Sequence, residues 1–299
     1  MSGHYCLSED ITDSVSSLVG LIKIKASDVE LDLNGNQLQA TYGEAIVLDS
    51  TISMSNVIIR NGFISASDDS SAPSGTGIYK EPNGQSASNV QLYDLTIYGC
   101  GSHGLSLENV DGLIVNNCVV RNNAANGLSL VNCDNVVIRS SKYIHNGGEA
   151  GAFFEEVPQV LIEETEFFEN EHSGVTYCAS SDAADLVLRT VVANNNERGV
   201  RFNSVGGIVA ERCVFNNNSL SGFTFYNNIL SPAYFDIDQA TESLVFKNCV
   251  ANGNGETPPG SHGFRFGYQS YSRTLIKSAV VDSCAACENA GDGFSFKNS

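Results

Sequence analysis

Residues 113–130 read Leu113-Ile-Val-Asn-Asn-Cys118-Val-Val-Arg-Asn-Asn123-Ala-Ala-Asn-Gly127-Leu-Ser-Leu130. The same grammar returns at Val136-Val-Ile-Arg-Ser-Ser141-Lys-Tyr-Ile-His-Asn146. Aligned on Cys118, eight segments fall into one register, with a basic spacing of 23 residues. The aligned position reads Leu95, Cys118, Ser141, Thr165, Val191, Cys213, Cys249 and Cys284. Five residues earlier stand Val90, Leu113, Val136, Val160, Leu186, Ile208, Leu244 and Ala279. Three residues earlier stand Leu92, Val115, Ile138, Ile162, Leu188, Ala210, Phe246 and Val281. Five residues later Cys100 is followed by Asn123, Asn146, Asn170, Asn196, Asn218, Asn254 and Asn289. A glycine then opens the next apolar alternation: Gly104, Gly127, Gly151, Gly174, Gly199, Gly222, Gly263 and Gly293.

Alternation with period two predicts strands, and no copy carries a helical period. Each copy holds three short alternations between polar turns. Stacked about 4.8 Å apart, such copies make the coils of a parallel β-helix, an all-β solenoid. The aliphatic columns then fill the interior, and the small polar or thiol column fits a corner. The Asn column becomes a structural ladder that hydrogen-bonds from coil to coil, and Asn tolerates the left-handed backbone of tight turns. At this spacing 299 residues predict about a dozen coils in a single domain. Residues 1–21 are expected as an N-terminal cap, and residues 22–299 as coils with insertions at 65–76, 223–243, 253–262 and 264–278. A leucine-rich repeat has a similar period, but its fixed leucines are missing.

Sixteen basic against thirty-four acidic residues give a formal charge of −18. That argues against nucleic acid, whose binding rests on Lys and Arg. It also disfavours an acidic polysaccharide unless a cation bridges the two. An apolar content of 42% excludes a disordered chain. No apolar run is long enough for membrane insertion. Nine cysteines is an odd count, and Met1-Ser-Gly-His-Tyr-Cys6 has no signal-peptide character. Reduced thiols and intracellular synthesis are expected.

Insertions mark where a rigid solenoid carries function. Four connections between a Gly-led strand and the next are long: 77–90, 174–186, 222–244 and 263–279. They leave one corner and are expected to form a ridge bearing Tyr79, Tyr177, Tyr226, Tyr234, Phe235, Tyr268 and Tyr271. Asp236, Asp238, Lys80 and Arg273 accompany them. Aromatic rings beside carboxylates and donors suit sugar rings, although tyrosines also simply pack loops down.

Leu31-Asp-Leu-Asn-Gly35 and the Asn-Val-x-Ile phrases at 56–59 and 135–138 resemble the opening coils of the pectin-lyase-like superfamily. The resemblance covers essentially the whole chain and implies a single-stranded right-handed parallel β-helix. That superfamily includes lyases, hydrolases, epimerases, tailspikes, adhesins and virion proteins, so it does not name an activity. Ser102-His103-Gly104 resembles part of a polygalacturonase stretch, with Asp68 and Asp69 as the carboxylate pair. Ser102 replaces the expected Gly, however, and Ser-His-Gly recurs at 261–263, which reads as a turn. Pectate lyases use Ca²⁺, which wants six to eight oxygens. Glu155, Glu156, Glu163, Glu164, Glu166, Glu169 and Glu171 are acidic, yet they spread over the faces of a coil. Ca²⁺ is the one cofactor left open, and no metal ligand set is read. Cys284-Ala-Ala-Cys287 has a metal-like spacing, but Cys284 belongs to the corner column.

The sequence therefore reads as a carbohydrate-recognising β-helix without uronan lyase or hydrolase catalysis of the familiar kind. The alternatives are a structural protein of a virion, appendage or cell surface, and a polysaccharide lyase or glycoside hydrolase with an unrecognised site. The chain stops just after beginning a new coil. Its C-terminal coil is expected to be covered by another subunit in a homo-oligomer or larger assembly, or the chain to be a fragment.

Overall fold

Every second residue of a strand faces inward, and in this chain the inward residues lie directly over one another. The computed structural model describes residues 1–14, 20–67, 75–82, 84–179, 185–204, 206–225, 243–255, 261–266 and 278–296. Its strands form a right-handed parallel β-helix. Seventeen strands make a first sheet that bends round a corner, and eleven make a second. Met54–Ala66 and Ala87–Tyr98 run through the corner and join both faces of the first sheet. All strand pairs among the described residues are parallel, as in Val136↔Val160, Val160↔Leu186 and Leu186↔Ile208. The columns found by alignment are therefore spatial columns. Those through Leu113 and Val115 are buried from Val57 and Ile59 to Leu244 and Phe246.

The second sheet fills the interior with larger side chains towards the C-terminus. Its inward column passes from Leu107 and Leu130 to Phe154, Tyr177, Phe202, Phe225 and Phe266. Tyr177 and Phe202 stack at 5.3 Å, which aligned aromatic rungs favour.

The Asn ladder holds by side chain and backbone together. Asn123, Asn146, Asn170 and Asn196 each donate from Nδ2 to the next Oδ1, at 2.9, 2.9, 3.0 and 3.3 Å. Asn218 and Asn254 continue it at 3.0 and 2.9 Å, ending on Asn289. Each Oδ1 also accepts a backbone N–H of the preceding coil, as Asn170 does from Asn146. One expectation needs correction. The left-handed backbone belongs to the residue before each rung, at Asn122, His145, Glu169, Asn195, Asn217 and Glu288. The ladder amides are inward-facing linkers, and their neighbours make the turn.

The corner column works in the same way. Cys118 N donates to Ser141 Oγ at 3.1 Å, and Cys249 N approaches Cys284 Sγ at 3.4 Å. Burial pushes the Cys100 and Cys118 thiols up to about 12. All nine cysteines are free.

The glycine column is set by close approach. A Cβ on Gly127 would lie 2.6 Å from the Gly151 carbonyl oxygen, and one on Gly199 2.4 Å from that of Gly222. Only hydrogen fits between these rungs.

The second sheet takes one strand from each coil, and its eleven strands among the described residues come just short of the expected dozen. Successive ladder steps span 23, 24, 26, 22, 36 and 35 residues, so insertions absorb chain that further turns would have used. At the N-terminus Gly3–Cys6 pairs with Val29–Asp32, and Ile11–Ser14 with Gln37–Tyr42. The first residues thus add strands to the first sheet. At the other end Ala279–Asp282 is exposed along its length.

Lys80, expected as a surface donor, is instead an interior residue, 1% exposed in register with Leu48. Among the described residues its Nζ has no hydrogen-bond partner. Burial holds the amine below the usual lysine range, opposed in part by Cys133 and Glu108. Lys80→Leu, which extends the Leu48 column, is expected to stabilise the fold by about 2 kcal/mol at neutral pH. The unfolded chain binds this proton more readily than the folded one. The penalty is therefore full below the folded pKa and fades as pH rises towards the ordinary lysine value. Urea unfolding of both proteins should show the gap narrowing at alkaline pH. An equal gap at every pH would mean that charge is not its cause.

Candidate functional site

The second sheet also has an outward column. In register it reads Lys23, Val47, Tyr79, Ser106, Ser129 and Phe153, then Thr176, Arg201, Thr224, Arg265 and Ser295. Alternation puts these side chains opposite the interior ones. Even so, Thr176 and Thr224 are fully buried and Arg265 is 8% exposed. Among the described residues neither threonine hydroxyl has a hydrogen-bond partner. Buried polar atoms are nearly always satisfied, so two orphans on alternate rungs of one column call for an explanation. Arg201 lies between them and Arg265 follows, two guanidiniums in a strongly acidic chain. Two residues further along the strands stand Glu155, Cys178 and Asn203. Burial raises the Cys178 thiol to about 11, with Arg201 and Asn203 working against it.

The long insertions begin beside this column. They follow Lys80, Ala179, Phe225 and Phe266, the last residues of their strands. Of the expected ligand-contacting residues, Tyr79 lies on the outward column and is half-buried. Its phenol is raised by burial and then by Glu81, Glu44 and Glu108. Tyr177 does not line any rim. Its ring is fully buried in the interior, and its hydroxyl donates to the Val157 carbonyl at 2.6 Å. Strand parity is the reason, since Tyr177 follows outward Thr176. Tyr226, Tyr234, Phe235, Asp236, Asp238, Tyr268, Tyr271 and Arg273 lie outside the described residues, as do Asp68 and Asp69.

His103 sits in the turn before Gly104. Its Nδ1 accepts the Asn126 backbone N–H at 3.2 Å. His262 accepts the Asp292 N–H at 3.1 Å, and Asn126 Oδ1 accepts the Ala150 N–H at 3.0 Å. These side chains serve as turn acceptors between coils. Burial lowers the His103 pKa, which suits a neutral ring with a free lone pair on Nδ1.

The acidic residues are dispersed among cations. Glu163 meets Arg139 at 2.8 Å and Arg189 at 3.2 Å, Glu166 meets Lys142 at 2.9 Å, and Glu169 pairs with His145. Among the described residues no three His, Cys, Asp or Glu side chains converge as a metal-binding group. No helix there is long and apolar enough to cross a membrane.

Arg201, Arg265, Thr176 and Thr224 were not picked out from the sequence. A signal existed, because the second residue after each column glycine is the outward one. Reading only that position gives Ser106, Ser129, Phe153, Thr176, Arg201, Thr224 and Arg265.

Solved structures with the same fold share little sequence. The A-module of the Azotobacter vinelandii mannuronan C-5 epimerase AlgE6 is 13% identical, with a TM-score of 0.55 over 100% of this chain and 92% of its own. The Streptococcus pneumoniae surface protein and adhesin PfbA is 10% identical, with a TM-score of 0.51 over 99% and 90%. Pectate lyase Pel9A is 13% identical, with a TM-score of 0.50 over 86% and 69%. No curated protein matches the sequence. The model of a right handed beta helix region matches residues 22–142 and 76–229. Stacked amides, glycine contacts and parallel register all accord with that match, and the chain belongs to the right-handed β-helix family.

Proposed function

We propose that this chain recognises a glycan along the outward column of the second sheet, anchored by Arg201 and Arg265, without uronan lyase or hydrolase chemistry. The observation that carries the reading is the half-buried stretch of that column, Tyr79, Ser106, Ser129, Phe153 and Arg201, which presents rings, hydroxyls and a guanidinium in register on one face. A guanidinium offers a planar fork that fits a carboxylate or a pair of neighbouring sugar hydroxyls. The rungs repeat at about 4.8 Å, close to the length of one sugar ring, so donors recur along an extended chain. An epimerase and a lyase named for polysaccharides share the fold, which makes a saccharide the natural ligand class to test first. His103 stays out of the chemistry because its ring is engaged in the turn.

Screening the protein on an array of neutral and uronate oligosaccharides tests this. Binding should weaken at least ~10-fold in Arg201→Gln and in Arg265→Gln, a loss of about 1.4 kcal/mol. His103→Gln should bind as the parent does. Ultraviolet absorbance of bound uronans should stay flat, since no unsaturated product forms. Absence of any glycan hit, or hits untouched by both arginine changes, would overturn the reading.

A further inference from the structure

The outer face of the first sheet carries a different pattern from the glycan column. From Ile114 its outward column is aliphatic without a break: Val137, Leu161, Val187, Val209, Val245 and Val280. All are half-buried except Val280, which is exposed. At about 4.8 Å per coil the stripe runs roughly 30 Å. Contiguous outward apolar residues of this kind mark interaction surfaces, and parallel sheets are ordinarily covered on both faces. Beside the stripe, two residues along each strand, runs a column of charges: Arg139, Glu163, Arg189, Glu211, Lys247 and Asp282. Their signs alternate strictly. Glu163 bridges Arg139 and Arg189, and Arg189 reaches Glu211 at 3.5 Å. On the other flank Asn135, Gln159 and Asp185 border a shallow depression of about 330 Å³ floored by Val137, Leu161 and Val187.

We infer that this face docks a second copy of the chain, antiparallel, about a two-fold axis running along the strands. Such a rotation lays the stripe on its own image and the charge column on its own image in reverse order. Six alternating charges reversed place every charge opposite its counter-charge. Arg139 meets the partner's Asp282, Glu163 meets the partner's Lys247, and Arg189 meets the partner's Glu211. An interface of this kind is self-complementary and closes at two. A two-fold axis along the solenoid would instead lay the charges over Asn135, Gln159 and Asp185. That arrangement brings Asp185 to the partner's Arg189 but leaves the other five charges without counter-charges. The charge pattern thus selects a copy of this chain, in one orientation, as the occupant. The glycan column is on the other sheet, so neither proposal depends on the other.

Sedimentation equilibrium of the full chain from ~1 to ~100 μM, a range suited to a modest interface, tests the assignment. The parent protein should form dimers. Leu161→Lys places a charge at the middle of the stripe and should weaken the dimer at least ~10-fold with an unchanged circular dichroism spectrum. Glu163→Lys should weaken it similarly. Adding Lys247→Glu to that variant should bring the affinity back to within ~3-fold of the parent. Within one chain these two residues are three rungs apart, about 14 Å, beyond the screening length at ordinary salt. Rescue can therefore run only through the partner. A monomer at all concentrations, a dimer indifferent to Leu161→Lys, or a double variant no better than Glu163→Lys would each overturn the assignment. The second of these would place the contact elsewhere, for instance on the exposed last coil.

Discussion

Asn170→Ala should lower the unfolding free energy by about 3–5 kcal/mol, far more than the loss of a surface amide. The Asn170 side chain accepts from Asn146 N and Nδ2 at 3.2 and 2.9 Å and donates to Tyr143 O at 3.0 Å and Asn196 Oδ1 at 3.0 Å. Alanine leaves the Asn146 N–H orphaned in a dry interior, where no water enters to replace the amide. The substitution Asn122→Gly, at a turn two rungs away, provides the contrast. Asn122 occupies the left-handed region with φ of 55° just before ladder residue Asn123. Glycine adopts that conformation freely, so the change should fall within about 0.5 kcal/mol of the parent. Urea denaturation of the two variants separates the role of a ladder amide from that of a turn amide. Equal losses would mean that the ladder carries no special share of the stability.

Gly199→Ala is the second large effect. The new Cβ would lie 2.4 Å from the Gly222 carbonyl oxygen and 3.2 Å from that of Ala193, both backbone atoms fixed by neighbouring strands. Neither can rotate away as a side chain could, so the rungs must part. A loss above ~3 kcal/mol is expected, in the range of severe overpacking. Gly35→Ala tests the other reason for glycine. Its Cβ would meet nothing within 4 Å, but the residue has φ of +76°, so the cost should be about 1 kcal/mol of backbone strain. Because each coil touches only its neighbours, Gly199→Ala should also split the transition. Hydrogen exchange should accelerate first on either side of the Arg198–Ser204 strand. A single cooperative transition with unchanged midpoint would count against the contact argument.

The interior was legible in the sequence because repetition turns a weak signal into a column. One Asn says little, whereas seven at the same offset can scarcely be loop residues. The misreadings share a cause. Tyr177 and Lys80 read as surface groups from their chemistry and their nearness to long connections. Counting from Gly77, which aligns with Gly104, and from Gly174 puts both inside, since each stands three residues after its glycine on the inward parity of its strand. The same count would have found Arg201 and Arg265. The assignment of left-handed backbone to the ladder amides failed for another reason. A turn of two residues needs one to bend the chain and one to face inward, and residue type alone does not say which does which.

Growth in this molecule needs no redesign. A sandwich or closed barrel has a fixed number of members, and adding one disturbs every other contact. Here Asn123 meets Asn146 after 23 residues through the same amide contact that Asn146 makes with Asn170 after 24. A duplicated stretch of that size would find its own neighbours already waiting on both sides. Length is thus an inheritable variable that gene duplication can adjust one rung at a time, carrying each face of the surface along with it.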